Sequence, residues 1–167
     1  WSSQEVGVQF NPCSPFFSEI HKFFKEYLPR GNDKKFLEVG CYPGTYLWYF
    51  NKYFDYEVSG LEYVGECIGK CQNLLERAGI VPKEIIEADL FTFPEVSEEN
   101  KWDIVASFGF IEHFEDVTPS IERHLALLKK GGYLVLVIPN HAGLNGRILQ
   151  AVDRDKYNIH NHMDCKQ

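Results

Sequence analysis

Apolar residues recur along the chain at two different spacings, and the change between them predicts the elements of the fold. Residues 15–29 repeat apolar side chains every three or four positions, as an amphipathic helix does, with Ser14 as the N-cap and Pro15 in the first turn. Short apolar runs further on predict strands at residues 36–39, 57–61, 84–87, 102–108 and 133–138. Helices are predicted between them at residues 45–53, 65–78 and 118–130, with Gly79, Gly131 and Gly132 as stop signals.

Strands that alternate with helices of this length indicate crossover connections between parallel strands. We therefore expect an α/β fold of the Rossmann-like type, an open and mostly parallel sheet with helices on both faces. A single domain is predicted, with an N-terminal helical cap (residues 1–34), a core (35–140), and a last part (141–167) that holds a helix at 145–152 and a polar tail. Ligands of such sheets bind beyond the carboxyl ends of the strands.

Composition narrows the class of protein. The 167 residues are 44% hydrophobic and carry a net charge of -7, as expected for one soluble globular domain. No block rich in lysine or arginine interrupts this acidic balance, which argues against nucleic acid as a partner. No segment approaches the roughly 20 apolar residues of a membrane helix, and no signal peptide is recognisable, so membrane insertion is not expected.

The cysteines indicate the compartment. Five cysteines form an odd set without the density of a disulfide scaffold, which favours a reducing cytoplasm. Cys67 and Cys71 lie four positions apart on one predicted helix and lack a second metal-type pair, so we interpret them as reduced packing residues.

Acidic residues end or follow three successive strands. Glu38 lies in the first strand, just before a loop in which Gly40 and Gly44 suit a close approach between backbone and ligand. Glu62 ends the second strand 24 positions later, near the distance at which an acid receives ribose hydroxyls in nucleotide-binding α/β folds. Asp89 follows the third strand and is suited to accept a hydrogen bond from an exocyclic amine such as that of adenine.

The loop after the first strand argues against a dinucleotide. A pyrophosphate site of that type needs the pattern G-x-G-x-x-G at a helix N-terminus, whereas this loop has Gly40 and Gly44 alone and no lysine or arginine nearby. The carboxylate of Glu38 disfavours phosphate and favours a cation. The expected ligand is therefore a positively charged adenosine compound, and a nicotinamide oxidoreductase is the least favoured of the functions considered.

Five stretches resemble, in order and spacing, the motifs of the class I S-adenosylmethionine-dependent methyltransferases: "FLEVGCYPGTYL", "GLEYV", "EADLF", "WDIVASFGFIEHFED" and "LLKKGGYLVLVIPN". The resemblance covers about residues 35–140. It implies S-adenosylmethionine as cofactor, S-adenosylhomocysteine as product, and transfer of a methyl group to an oxygen, nitrogen or carbon atom of a small-molecule acceptor. The alternative is a domain of the same fold that binds these compounds without turnover.

The resemblance also implies which residues surround the cofactor. The loop around its methionine part is assigned to Glu38, Gly40, Cys41, Tyr42, Pro43 and Gly44. The ribose contact is assigned to Glu62, the base contacts to Tyr63, Asp89 and Leu90, and the floor facing the substrate to Ser107 and Phe108. Tyr42 departs from the family pattern, which usually has a glycine in the middle of this loop, so its side chain must point away from the cofactor or cover it.

Candidate catalytic residues follow the fourth and fifth strands. Glu112 and His113 are the candidates for the general base that an oxygen or nitrogen nucleophile requires, and the unperturbed pKa of histidine suits this role. Both are also interpretable as residues that only hold their loop together. His141, at the end of the fifth strand, either reaches the substrate or caps its own loop.

The last part of the chain holds two further features. Only 29 residues follow Ile138, without a convincing pair of strands to form the terminal antiparallel hairpin of the family, so we expect the chain to be a fragment of a longer domain. The tail contains residue types that ligate metals, but no partner pair is recognisable and no metal site is predicted. These residues are His160, His162, Asp164 and Cys165.

Overall fold

The computed structural model describes residues 14–139 and 150–152. The strands are β1 (Lys35–Val39), β2 (Glu57–Glu62), β3 (Glu84–Glu87), β4 (Trp102–Phe108) and β5 (Leu128–Val137). The α-helices are α1 (Pro15–Tyr27), α2 (Thr45–Phe54), α3 (Gly65–Arg77) and α4 (Thr118–Leu127), and two 3₁₀ helices cover Glu98–Asn100 and Ile111–His113. Residues 150–152 are helical, and the rest of the helix predicted at 145–152 lies outside the described residues. No helix in these ranges combines the length and the apolar content needed to span a membrane.

The strands form one parallel sheet in the order β3-β2-β1-β4-β5. The chain moves outward from β1 through β2 to β3 and then returns to the other side of β1 to begin β4. The strand order therefore reverses between β1 and β4, and sheets of this kind form a ligand crevice at the carboxyl ends of the strands beside such a reversal. This architecture confirms the predicted parallel α/β fold. Within the part of the chain that the structure describes, β5 is an edge strand and no hairpin follows it.

The sheet carries an apolar cluster on each face, because successive residues of a buried strand point to opposite sides. In β1, Phe36 belongs to the cluster beneath α1 and α2, whereas Leu37 belongs to the cluster beside α4. The first cluster is mostly aromatic, and Phe36 stacks on Phe50 of α2 with ring centroids 4.4 Å apart. Phe17 and Phe24 bring α1 into the same cluster, so this amphipathic helix packs on the sheet as its pattern predicts.

One helix cap and one helix boundary differ from the sequence prediction. Ser14 holds the N-cap position of α1, but its side chain makes no capping hydrogen bond. Helix α4 ends at Leu127, and Gly131 and Gly132 lie inside β5 instead of stopping the helix. The pairing of β4 with β5 shifts register at this point, and a Cβ on Gly132 would lie 2.6 Å from the carbonyl oxygen of Asp103. These glycines therefore serve a bulge packed against β4.

Candidate functional site

A cavity of about 360 Å³ opens where the carboxyl ends of β1, β2, β3 and β4 meet. Its lining comes from the last residues of β2 and from the loops after all four strands. The lining residues are Gly40, Leu61, Glu62, Tyr63, Asp89, Leu90, Phe91, Phe110 and Phe114. The cavity thus brings together five of the residues that the sequence places around a cofactor, namely Gly40, Glu62, Tyr63, Asp89 and Leu90.

Glu62 joins two loops at one side of the cavity. Its side chain is only 7% exposed. One carboxylate oxygen, Oε2, accepts the backbone N–H of Tyr42 at 3.2 Å, and the other, Oε1, accepts that of Val64 at 3.0 Å. A carboxylate has about four lone-pair positions, so each oxygen retains one acceptor position for a ligand hydroxyl.

Asp89 shapes the loop after β3. Its carboxylate Oδ1 accepts the backbone N–H of Phe91 at 2.9 Å, and its carbonyl accepts the N–H of Phe93 at 2.8 Å. This tight turn buries Leu90 in the wall of the cavity and leaves Phe91 partly exposed at its edge. Because Oδ1 already accepts one hydrogen bond from the loop, the second oxygen, Oδ2, retains the greater acceptor capacity for a ligand.

Only glycine fits at position 40, because an aromatic ring packs against its backbone. The residue has a φ of 71°, in the left-handed region that favours glycine, and its N–H donates to the carbonyl of Leu61 at 2.8 Å. A Cβ at Gly40 would lie 2.9 Å from Cδ2 of Phe110. The ring of Phe110 therefore requires glycine here, and the predicted close approach between this backbone and a ligand stays a prediction.

Glu38 lies beneath the start of α2 and does not line the cavity. It is 2% exposed, and the backbone N–H of Leu47 in the first turn of α2 binds its carboxylate. Gly44 is the N-cap of this helix and has no side chain to accept that N–H, so the acid of β1 supplies the capping that the glycine cannot.

The environment of Glu38 disfavours its charge. Among the described residues, no group forms a hydrogen bond with its Oε2 atom. Burial, together with the nearby Cys71 and Glu62, raises the pKa of Glu38 well above its ordinary value, against the smaller opposite effect of the Leu47 N–H. The carboxyl group of Glu38 is therefore stabilised in its protonated form.

The remainder of the loop after β1 does not line the cavity. Cys41 is buried against Gly60, and the thiol of Cys71 donates to its carbonyl at 3.7 Å. Cys41, Cys67 and Cys71 are all free thiols, as predicted for the cysteines within the described residues.

The Tyr42–Pro43 peptide bond is cis, and the ring of Tyr42 is 48% exposed, with the ammonium of Lys70 5.5 Å from its centroid. Tyr42 does not line the cavity, and whether its ring covers a bound ligand or points away from it stays a prediction.

Ser107 and Phe108, at the end of β4, do not line the cavity either. Ser107 is buried in the sheet. The ring of Phe108 stacks on Tyr46 of α2 with centroids 3.5 Å apart and an interplanar angle of 8°. Phe108 therefore belongs to the aromatic cluster beneath α1 and α2, on the face opposite Leu37.

The candidate catalytic residues lie on the short 3₁₀ helix after β4. Glu112 is buried, and its Oε2 atom has no hydrogen-bond partner within residues 14–139 and 150–152. His113 is exposed. Neither residue lines the cavity, so a catalytic role for them stays a prediction. His141 and the metal-ligating residue types of the tail lie outside the described residues.

Aromatic residues in two loops form a wall that the sequence reasoning missed. Phe114 contacts Phe91 and Phe110, with ring centroids 5.2 and 5.3 Å apart. Phe110 also meets His124 of α4 edge to face at 5.8 Å. Loop residues follow no helical or strand periodicity, so position just after a strand end was the one sequence signal that could have identified this wall.

Comparison with known proteins places these features in a family. A family profile described as "Methyltransferase domain" matches residues 14–166. An uncharacterized methyltransferase of Schizosaccharomyces pombe is 30% identical over 105 residues, which cover 60% of this chain and 38% of that protein. The chain therefore spans less than half the length of this curated relative.

Solved structures share the fold. The YcgJ protein of Bacillus subtilis superposes with a TM-score of 0.65 at 17% identity, over 87% of this chain and 61% of that protein. An S-adenosylmethionine-dependent methyltransferase of Clostridium acetobutylicum superposes with a TM-score of 0.60 at 14% identity, over 86% of this chain and 56% of that protein. At such identities the likeness concerns the arrangement of strands and helices.

Proposed function

The chain belongs to this family of methyltransferase domains, and we propose that it transfers a methyl group from S-adenosylmethionine to an oxygen, nitrogen or carbon atom of a small-molecule acceptor in the cytoplasm. One observation carries the proposal. The cavity beside the reversal of strand order has a carboxylate at the end of β2, Glu62, and another just after the adjacent β3, Asp89, with apolar residues between them. Sugar hydroxyls and a base amine are the groups that two such acceptors bind together.

The chemistry of the lining fits an adenosine compound without phosphates. Glu62 has acceptor positions for the ribose hydroxyls, Oδ2 of Asp89 for the amine of the base, and Leu90 an apolar surface for the ring. Among the described residues, those that line the cavity include no lysine or arginine, so a pyrophosphate finds no cation there. The two carboxylates favour a ligand with positive charge, which disfavours a nicotinamide dinucleotide.

The residues of the chain have a positioning role in this reaction. When bound, S-adenosylmethionine supplies a methyl group on a positively charged sulfur that is already electrophilic. Glu62 and Asp89 orient the adenosine part, and the wall of Phe91, Phe110 and Phe114 excludes water from it. For an oxygen or nitrogen acceptor, Glu112 or His113 takes the proton, and His141 contacts the substrate.

A second candidate is a domain that binds the cofactor without turnover. It is favoured by the position of Glu112 and His113, which do not line the cavity. The two candidates differ only in catalysis, so binding measurements alone do not separate them.

Calorimetric titration with S-adenosylmethionine, S-adenosylhomocysteine and NADH tests the binding. We expect both sulfur compounds to bind and NADH to give no heat, and binding of NADH alone would refute the proposal. Transfer of a radioactive methyl group to a panel of metabolites, measured with the full-length protein, then separates the enzyme from the binding domain. Labelled product indicates the enzyme, and its absence across the panel despite binding favours the second candidate.

A further inference from the structure

Arg123 of α4 forms two hydrogen bonds to backbone carbonyls of the loop after β3. The Nε of Arg123 donates to the carbonyl of Leu90 at 3.0 Å, and one of its terminal nitrogens donates to the carbonyl of Phe93. Both bonds are partly buried, and they connect residues that lie 33 and 30 positions apart in the chain. The guanidinium therefore bridges two points of the turn whose residues Leu90 and Phe91 line the cavity.

The chemistry of arginine suits this bridge. Its planar guanidinium presents several donors in fixed directions, so two carbonyls are held at one relative position, whereas the ammonium of lysine is a point donor on a flexible stem. Between the two bridged carbonyls, the N–H of Phe91 donates to Oδ1 of Asp89 and orients that carboxylate. The two hydrogen bonds of Arg123 therefore position the Asp89 carboxylate indirectly, through the hydrogen bond that it accepts from the Phe91 N–H.

We propose that Arg123 is a positioning residue that sets the selectivity of the cavity for adenine, because it fixes the backbone of residues 89–93 and with it the direction of the Asp89 carboxylate. The inference rests on the proposed function, since it concerns how that same site recognises the base. Arg123 does not line the cavity, and its effect on the base is transmitted through Asp89.

Selectivity is measured with two ligands that differ in one group. One is S-adenosylhomocysteine, and the other is its analogue with hydrogen in place of the exocyclic amine. A hydrogen bond to a charged acceptor contributes about 1.5 to 3 kcal/mol, so we expect the complete wild-type chain to prefer the amine roughly 10- to 100-fold in calorimetric Kd. In Arg123→Met the preference falls below roughly threefold, mainly through weaker binding of the amine-containing ligand, and Arg123→Lys gives an intermediate value.

A matched control makes the same chemical change elsewhere. Arg30→Lys replaces an exposed arginine whose Nε contacts Asp55 at 3.0 Å, remote from the cavity, and it keeps the wild-type preference. Loss of overall stability weakens both ligands together and leaves their ratio unchanged, so the ratio separates positioning from a merely structural role. If Arg123→Met does not fold, Arg123→Lys decides the question.

A double-substitution cycle tests the route through Asp89. Asp89→Ala abolishes the preference by itself, and adding Arg123→Lys changes the ratio no further. An unchanged ratio in folded Arg123→Lys, or an equal further loss in the Asp89→Ala background, overturns the inference. A wild-type chain that binds both ligands equally also overturns it but leaves the proposed function intact, whereas binding of neither ligand overturns both.

Discussion

The carboxylate of Glu62 accepts the backbone N–H of Tyr42 at 3.2 Å, so the residue that ends β2 holds the loop that follows β1. Its other oxygen accepts the N–H of Val64 at the start of α3. The acid that we propose as the ribose contact is therefore also a structural centre of the site. A substitution at this position acts on the fold and on the ligand at once, and measurements must separate the two effects.

Glu62→Gln is expected to lower both stability and affinity. Glutamine has only one acceptor oxygen, so its NH₂ group must face the N–H of either Tyr42 or Val64, and two donors cannot form a hydrogen bond. The free energy of unfolding therefore falls by about 1 to 3 kcal/mol. The affinity for S-adenosylhomocysteine falls roughly 10- to 100-fold because a charge-assisted hydrogen bond is lost. Urea denaturation measures the first effect and calorimetry the second.

The matched control for this substitution lies at the other end of the same strand. Glu57→Gln changes an exposed glutamate at the start of β2, and we expect both quantities to remain at their wild-type values. Wild-type ligand affinity in Glu62→Gln would contradict the ribose assignment, even if its stability fell as expected.

Gly40→Ala is expected to destabilise the protein. Alanine in the left-handed region costs about 1 to 2 kcal/mol, and the new Cβ would also lie 2.9 Å from the Phe110 ring. Gly69→Ala is the opposite case, because this glycine lies in α3 with nothing within 4 Å of an added Cβ, and it gains about 0.5 to 1 kcal/mol of stability. Thermal melts of the two variants should move in opposite directions, and shifts of the same sign would refute this account.

Glu38→Gln is expected to stabilise the protein at neutral and alkaline pH. Because the folded-state pKa of Glu38 lies above its ordinary value of 4.5, the stabilising contribution of this group is complete below that value and is lost as pH rises through the folded-state pKa. Glutamine cannot ionise, and its oxygen still accepts the Leu47 N–H. Urea denaturation at several pH values should therefore show the variant more stable at pH 8 by about 1 to 3 kcal/mol, with the difference shrinking toward pH 4. A difference that does not vary with pH would contradict the assigned cause.

Phe114→Ala is expected to weaken cofactor binding about tenfold. The ring lines the cavity and contacts Phe91 and Phe110, so its loss opens the aromatic wall to water. Phe23→Ala removes a phenylalanine that is 57% exposed on α1 and leaves the affinity unchanged. Calorimetry with S-adenosylhomocysteine compares the two, and an equal effect of both variants would show that the wall has no specific part in binding.

The sequence predicted the order and type of the elements well, because the spacing of apolar residues reflects burial directly. The boundary between α4 and β5 was harder to predict. Gly131 and Gly132 indicate a helix stop when only the preceding residues are considered, whereas Gly132 packs against Asp103 in a strand that is distant in sequence. A glycine pattern alone does not distinguish a helix stop from a bulge.

The sequence predicted the positions of site residues that lie at strand ends. It did not predict the directions in which other side chains point. Glu62 ends one strand of a parallel sheet and Asp89 follows the adjacent one, so their proximity is a property of the topology. The orientation of Phe108 depends on its stacking with Tyr46, and the burial of Glu38 depends on the need of α2 for a cap. Both are tertiary contacts that no local pattern records.

The hydrogen bond between Arg123 and Leu90 also has a consequence for biosynthesis. The two residues are separated by 33 positions, and α4 emerges from the ribosome only after β3 and its turn have been made. In a nascent chain that ends before Arg123, the turn after β3 lacks these hydrogen bonds. Completion of this pocket therefore follows synthesis of α4, whatever part of the sheet has already assembled.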